Sequence, residues 1–182
     1  KTGSEYLTDV WPNMEVFFHG GISFEPYRDQ YKALIPSDRM HYMETYNASE
    51  GFFGLQDNPE EHSLLLMIDY SVFYEFIPIN EVGEEHPTVL PLEAVEVGKN
   101  YAMVITTSGG LWRYQIGDTV RFTSLYPHKF VISGRTKNFI NAFGEELMVD
   151  NADKAISRVC RQTGAKVKEY TAAPLFMLDK AK

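Results

Sequence analysis

The chain has a single cysteine, Cys160, in 182 residues, so no disulfide can form within it and nothing implies an oxidising compartment. It has no long apolar run: stretches such as Leu64 to Ile68 fall far short of the roughly 20 residues that cross a bilayer. Its histidines, at 19, 41, 62, 86 and 128, are scattered and have no metal-ligand spacing. The patterns CxxC, HExxH, GxGxxG and the P-loop are all missing, which removes support for zinc, dinucleotide and Walker-type chemistry. A basic excess is missing too. The formal charge of −8 argues against a binder of nucleic-acid backbone, and the aromatic residues are not interleaved with basic ones as in an RNA-reading sheet. No membrane and no nucleic acid is expected as a partner, and the cytoplasm is the default setting.

What is present is enough apolar material for a core: 44% hydrophobic and 14% aromatic residues. The charge is uneven. Residues 1–111 hold 5 Lys/Arg against 18 Asp/Glu, whereas residues 112–182 hold 12 against 7. A change of sign like this accompanies a change of domain or of face. The chain opens on Lys1-Thr2-Gly3 and stops just after the apolar stretch Pro174 to Leu178, which reads as a piece of a longer protein.

The pattern predicts a short buried strand at 14–18 ended by Gly20-Gly21, and a helix near 26–34 with Pro26 in its first turn. Tyr27, Tyr31 and Leu34 fall on one helix face. A second strand at 40–46 completes a βαβ rhythm. From 62 to 133 the chain changes to short aromatic and β-branched runs at 62–79, 102–107, 111–114, 119–123 and 129–133. Turn residues punctuate them, which predicts a small antiparallel barrel or sandwich with a hairpin at Ser108-Gly109-Gly110. After Arg135 come a brief strand at 138–140, a helix over 151–163 capped by Asp150 and closed by Gly164, and a strand at 166–172. The fold class is therefore mixed α/β. Residues 1–61 read as a sheet portion, 62–136 as a β-barrel portion, and residues 137–182 as the start of a separate α+β unit.

Four short segments carry candidate chemistry. Tyr46-Asn47-Ala48-Ser49-Glu50-Gly51 sets a hydroxyl beside a carboxylate in a turn. Magnesium takes hard oxygen ligands and keeps most of its waters, so Glu50 beside a phosphate suits it, with Ser49 on the same phosphate. The plain alternative is a turn with a solvated Glu50. His19-Gly20-Gly21-Ile22-Ser23 lets a flat ligand approach the backbone, or is simply a tight turn; with Glu25 where a nucleophile elbow needs Gly, Ser23 is no nucleophile. Tyr114-Gln115-Ile116-Gly117-Asp118 presents a carboxylate able to accept two ribose hydroxyls, or one that caps a turn. Gly134-Arg135-Thr136-Lys137 places a guanidinium and an ammonium at the change of architecture, as a hinge or as an ordinary basic loop.

Taken in order, these segments resemble the adenylate-forming superfamily. Leu111 to Asp118 and Phe143-Gly144-Glu145-Glu146-Leu147 are similar to the auxin-responsive acyl-acid amido synthetases, whose plant members conjugate jasmonate, indole-acetate or benzoates to amino acids. The chain looks like an internal or C-terminal piece of a bacterial relative, in which residues 1–136 would be the later part of a large domain and residues 137–182 the start of a small one. The resemblance implies ATP and Mg²⁺, a small carboxylic acid and an amino acid as its partners. It implies Gly20, Gly21 and Ile22 along the adenine, Tyr46 near the base, Ser49 at the α-phosphate and Glu50 at the metal. Asp118 and Arg135 would hold the ribose, Lys137 would be the hinge, and Phe52 and Phe53 would border the acyl pocket. The family's Ser/Thr phosphate loop is not in these residues, so catalysis by this stretch alone is not expected. Gln115 stands where plant relatives carry Arg. A coenzyme A ligase of the same superfamily and a non-catalytic binding module are the alternatives.

Overall fold

The computed structural model describes residues 3–21, 24, 27–136, 140–142, 145–147, 149–167 and 169–171. Strand β1 (Val16–His19) leads to helix α1 (Arg28–Leu34) and then to β2 (His41–Ala48), which lies parallel to β1 with Val16 opposite His41 and His19 opposite Glu44. A parallel neighbour requires a crossover, and α1 supplies it. The helix rests on a small cluster of Phe24, Ile35, Met40 and Tyr42, with Tyr27 and Tyr31 packed against it. Leu34 was expected on that face but is 48% exposed. The face continues instead from Tyr27 and Tyr31 to Ile35, one residue past the helix end, which keeps the i, i+4 spacing.

Beyond β2 the chain forms antiparallel strands: β3 (Gly51–Gln56), β4 (Leu64–Leu66), β5 (Val72–Pro78), β6 (Leu90–Pro91), β7 (Asn100–Thr107), β8 (Tyr114–Leu125) and β9 (His128–Arg135). The sheet runs in the order β1-β2-β3-β4-β9-β8-β7-β5-β6. It is curled. Four strands separate β3 from β5 in that order, yet the Phe53 and Tyr74 rings meet edge to face at 6.4 Å. The concave side is filled by aromatic and branched residues, among them Phe53, Phe76, Tyr101, Phe122 and Phe130. Their edge-to-face contacts, such as Phe76 on Phe122 at 5.1 Å, suit the ring quadrupoles.

Several sequence expectations shift at their edges. The run 62–79 is two strands, because the backbone turns through Ser71 at φ 58° between β4 and β5. Residues 111–114 are not a separate strand. Arg113 sits at φ 46°, which breaks the extended chain, and β8 starts only at Tyr114. β3 was not expected as a strand at all.

Strands β10 (Ile140–Ala142) and β11 (Glu145–Leu147) pair with each other, and helix α2 (Val149–Thr163) follows. Asp150 thus lies inside the first turn of α2, not at its cap. Gly164, at φ 71° and donating its N–H to the Cys160 carbonyl at 2.8 Å, closes the helix as expected. The strand expected at 166–172 does not form in residues 166, 167 or 169–171. Among the described residues nothing pairs alongside them, and an extended segment without a ladder partner is not a strand. Tyr170 instead donates its hydroxyl to Asp153 of α2 at 2.5 Å.

Candidate functional site

The parallel pair β1 and β2 ends on one side, and ligands favour that side of parallel strands. Gly20-Gly21 follows β1 there. A side chain at Gly20 would put its Cβ 2.5 Å from the Thr45 carbonyl oxygen, so only glycine lets the end of β1 lie this close to β2. Thr45 fastens the junction by donating its hydroxyl to the His19 carbonyl at 3.2 Å. Ser49 and Glu50 form the two-residue loop between Ala48 and Gly51, which face each other across the β2–β3 hairpin. Ser49 is exposed and Glu50 half-buried, so both can meet a ligand from solvent.

Asp118 and Arg135 are direct register partners on β8 and β9. The Arg135 Nε stands 3.4 Å from Asp118 Oδ1, with the guanidinium largely exposed and the carboxylate largely covered. Gly117, at φ 88°, lies beside this pair: a Cβ there would be 3.1 Å from the Arg135 Nη2, and the positive φ itself favours glycine. Thr136 secures the same corner, donating both its N–H (2.9 Å) and its hydroxyl (3.3 Å) to the Gly117 carbonyl.

Tyr46 joins the two halves. Its hydroxyl donates to Asp118 Oδ2 at 2.6 Å, across 72 residues of sequence. Its ring is 5% exposed and packs against Phe53 at 5.1 Å and Phe130 at 6.0 Å. Burial, then the charge of Asp118 and the hydrogen bond to it, hold the phenol far above its ordinary range; Arg135 opposes this and Glu50 adds to it more weakly. The Glu50, Asp118 and Arg135 charges are therefore all felt at one hydroxyl. A carboxylate has about four acceptor positions, so after Tyr46 and Arg135 have taken theirs each oxygen keeps room for one more donor. Two adjacent hydroxyls of a sugar fit that vacancy in number and polarity.

Of the residues expected at a site, Gly20, Gly21, Ser49 and Glu50 lie at the strand ends. Asp118 and Arg135 are paired, and Tyr46 links to them from inside the core. The Tyr46 ring is not offered to solvent, so its contact with the site runs through its hydroxyl and not through its face. Phe52 is half-buried, with Tyr70 5.9 Å away, whereas Phe53 is fully buried in the core and borders no open surface. Ile22 and Lys137 lie outside the described residues. Among the described residues no cluster of three or more His, Cys, Asp or Glu could hold a metal, and no helix is long and apolar enough to cross a membrane. Thr45, which adjoins Tyr46, was missed by sequence reasoning, and Thr136 stood inside a named segment without being given a role.

Residues 65–135 match the GH3 family central domain. The chain is 33% identical over 186 residues to indole-3-acetic acid-amido synthetase GH3.4 of Arabidopsis thaliana, covering 91% of this chain and 30% of that protein. It is 31% identical over 182 residues to GH3.3 of the same plant, covering 91% and 29%. Among solved structures, the AtGH3.15 acyl acid amido synthetase in complex with 2,4-DB superposes with a TM-score of 0.65 at 20% identity, covering 93% of this chain and 35% of that one. The architecture is thus that of the acyl acid amido synthetases. The chain belongs to the GH3 family. It spans about 30% of the length of the curated relatives it matches.

Proposed function

We propose that the protein carrying this chain uses ATP to activate a small carboxylic acid as its acyl-adenylate and then passes the acyl group to the amine of an amino acid. The observation that carries this reading is the meeting of two side chains on one carboxylate: Tyr46, from 72 residues away, and Arg135, from the neighbouring strand, both engage Asp118. Relatives named as amido synthetases support the reaction class.

In this reading Asp118 accepts the ribose hydroxyls, and Arg135 holds its second oxygen while facing the nucleotide. Gly20, Gly21 and Ile22 line the adenine. Ser49 donates to the α-phosphate, where the carboxylate of the acid attacks and pyrophosphate leaves; fixed donors at that point stabilise the charge that builds in the transition state. Glu50 is the residue that would hold Mg²⁺. A single carboxylate on a solvent-facing turn fits an ion that keeps several waters and shares phosphate oxygens, and the ion would supply charge neutralisation. Phe52 borders the acyl group, and Phe53 backs it from the core. Residues 1–136 belong to the large domain and residues 137–182 open the small one. Lys137 is the hinge that lets the amine reach the activated carbonyl and release AMP. The lone Cys160 favours the cytoplasm as the setting.

The test is acid-dependent exchange of labelled pyrophosphate into ATP by the full-length protein, across a panel of aryl and alkyl carboxylic acids. Exchange with some of them is expected. A folded protein that binds no ATP and catalyses no exchange would refute the reading.

A further inference from the structure

We infer that Tyr46 is a positioning residue for the nucleotide sugar: its hydroxyl fixes the plane of the Asp118 carboxylate from behind. This rests on the assignment of Asp118 to the ribose.

The geometry has three parts. First, Tyr46 cannot wander. Its ring is enclosed by Phe53, which is fully buried, and by Phe130, also fully buried, at centroid distances of 5.1 and 6.0 Å. A closely packed interior holds side chains in single rotamers. Second, its hydroxyl can only donate to Asp118. Ionising the phenol would place a second negative charge in a covered site beside Asp118, so the proton stays on Tyr46. Third, the two partners of Asp118 take different oxygens: Tyr46 at Oδ2 (2.6 Å) and Arg135 at Oδ1 (3.4 Å).

The Tyr46 hydrogen bond at Oδ2, with the Arg135 charge facing Oδ1, opposes turning of the carboxyl group about its Cβ–Cγ bond. A fixed carboxylate accepts two adjacent hydroxyls without having to be ordered at the moment of binding, which is the benefit of preorganisation. Arg135 is exposed and long, so it constrains weakly. The phenol is the rigid side of the clamp. β2 and β8 are not neighbours in the sheet, since β3, β4 and β9 lie between them. The Tyr46 hydroxyl therefore also ties the strand that bears the Ser49-Glu50 loop to the strand that bears Asp118.

The test compares AMP with 2′,3′-dideoxy-AMP by calorimetry on the full chain, as wild type, Tyr46→Phe and Asp118→Asn. Phenylalanine keeps the packing ring and removes only the hydroxyl. Wild type should prefer AMP. Tyr46→Phe should weaken AMP by on the order of tenfold and leave the dideoxy compound unchanged, as loss of one charge-assisted bond behind the acceptor requires. A purely structural role would weaken both nucleotides alike or neither, and that result overturns the inference while leaving the ribose assignment standing. Wild type that binds both nucleotides equally, or neither, overturns the ribose assignment instead. A second measurement needs no ligand: in urea unfolding, Tyr46→Phe and Asp118→Asn should be strongly non-additive. Independent effects of the two changes would show that the hydroxyl does not hold the carboxylate.

Discussion

Replacing His19 by phenylalanine should make folding less sensitive to acid. Both ring nitrogens of His19 are buried with no hydrogen-bond partner among the described residues, and the ring stacks on Phe24 with centroids 4.1 Å apart. Burial first, and then the positive charge of Arg28, lower its pKa from 6.5 to about 4. The folded chain therefore holds a neutral imidazole where the unfolded chain takes up a proton. The unfolded state binds more protons, so the stability that His19 protects is fully present above pH 6.5 and is lost as pH falls towards 4. An interval of that width corresponds to roughly 3 kcal/mol, and because part of the side chain is in reach of solvent about 1–2 kcal/mol is expected. The charge that acts on this ring is Arg28 of α1, and Glu44 is the register partner of His19 on β2. Burial raises the Glu44 pKa, with Arg28 opposing, so Glu44 favours the folded state as pH falls and acts against His19. Only the difference between wild type and His19→Phe isolates the histidine. Urea unfolding between pH 7 and 4 should show the variant gaining about 1–2 kcal/mol on wild type as the acid limb is crossed. Parallel stability curves across that range would refute the argument.

Phe53→Ala should cost about 3–5 kcal/mol, because the ring is fully buried among Tyr46 and Tyr74 and nothing nearby can fill its space; thermal melts check this. Asp118→Ala should abolish AMP binding in calorimetry and also destabilise the fold by about 1–3 kcal/mol, since it strands the buried Tyr46 hydroxyl without an acceptor. Asp118→Asn keeps an acceptor and should lose most of the nucleotide affinity with less of the stability. Gly20→Ala should force the end of β1 away from Thr45 at a cost of about 1–3 kcal/mol, measured as a lower urea midpoint with an unchanged slope.

The sequence made some of this legible and hid the rest for physical reasons. The β1-α1-β2 unit and α2 could be read because amphipathic spacing, a parallel crossover and a closing glycine are all local signals. The strand β3 could not. Its Phe52 and Phe53 are framed by Gly51 and Gly54, which read as turn signals, and without a strand assignment nothing shows that the two rings point to opposite faces. That is why both were expected at a pocket, although alternation along β3 sends Phe53 into the core and leaves Phe52 beside Tyr70. Tyr46 carries the same lesson further. Its segment was recognisable as chemistry because hydroxyl, carboxylate and glycine stand together in six residues. The direction of its ring depends on how a sheet curls, and its partner is 72 residues away on a strand that β2 never touches in the ladder. Short-range patterns report which chemical groups are gathered near a turn. They do not report which of those groups faces the ligand and which holds the others in place, because that division is made by packing between strands remote in sequence.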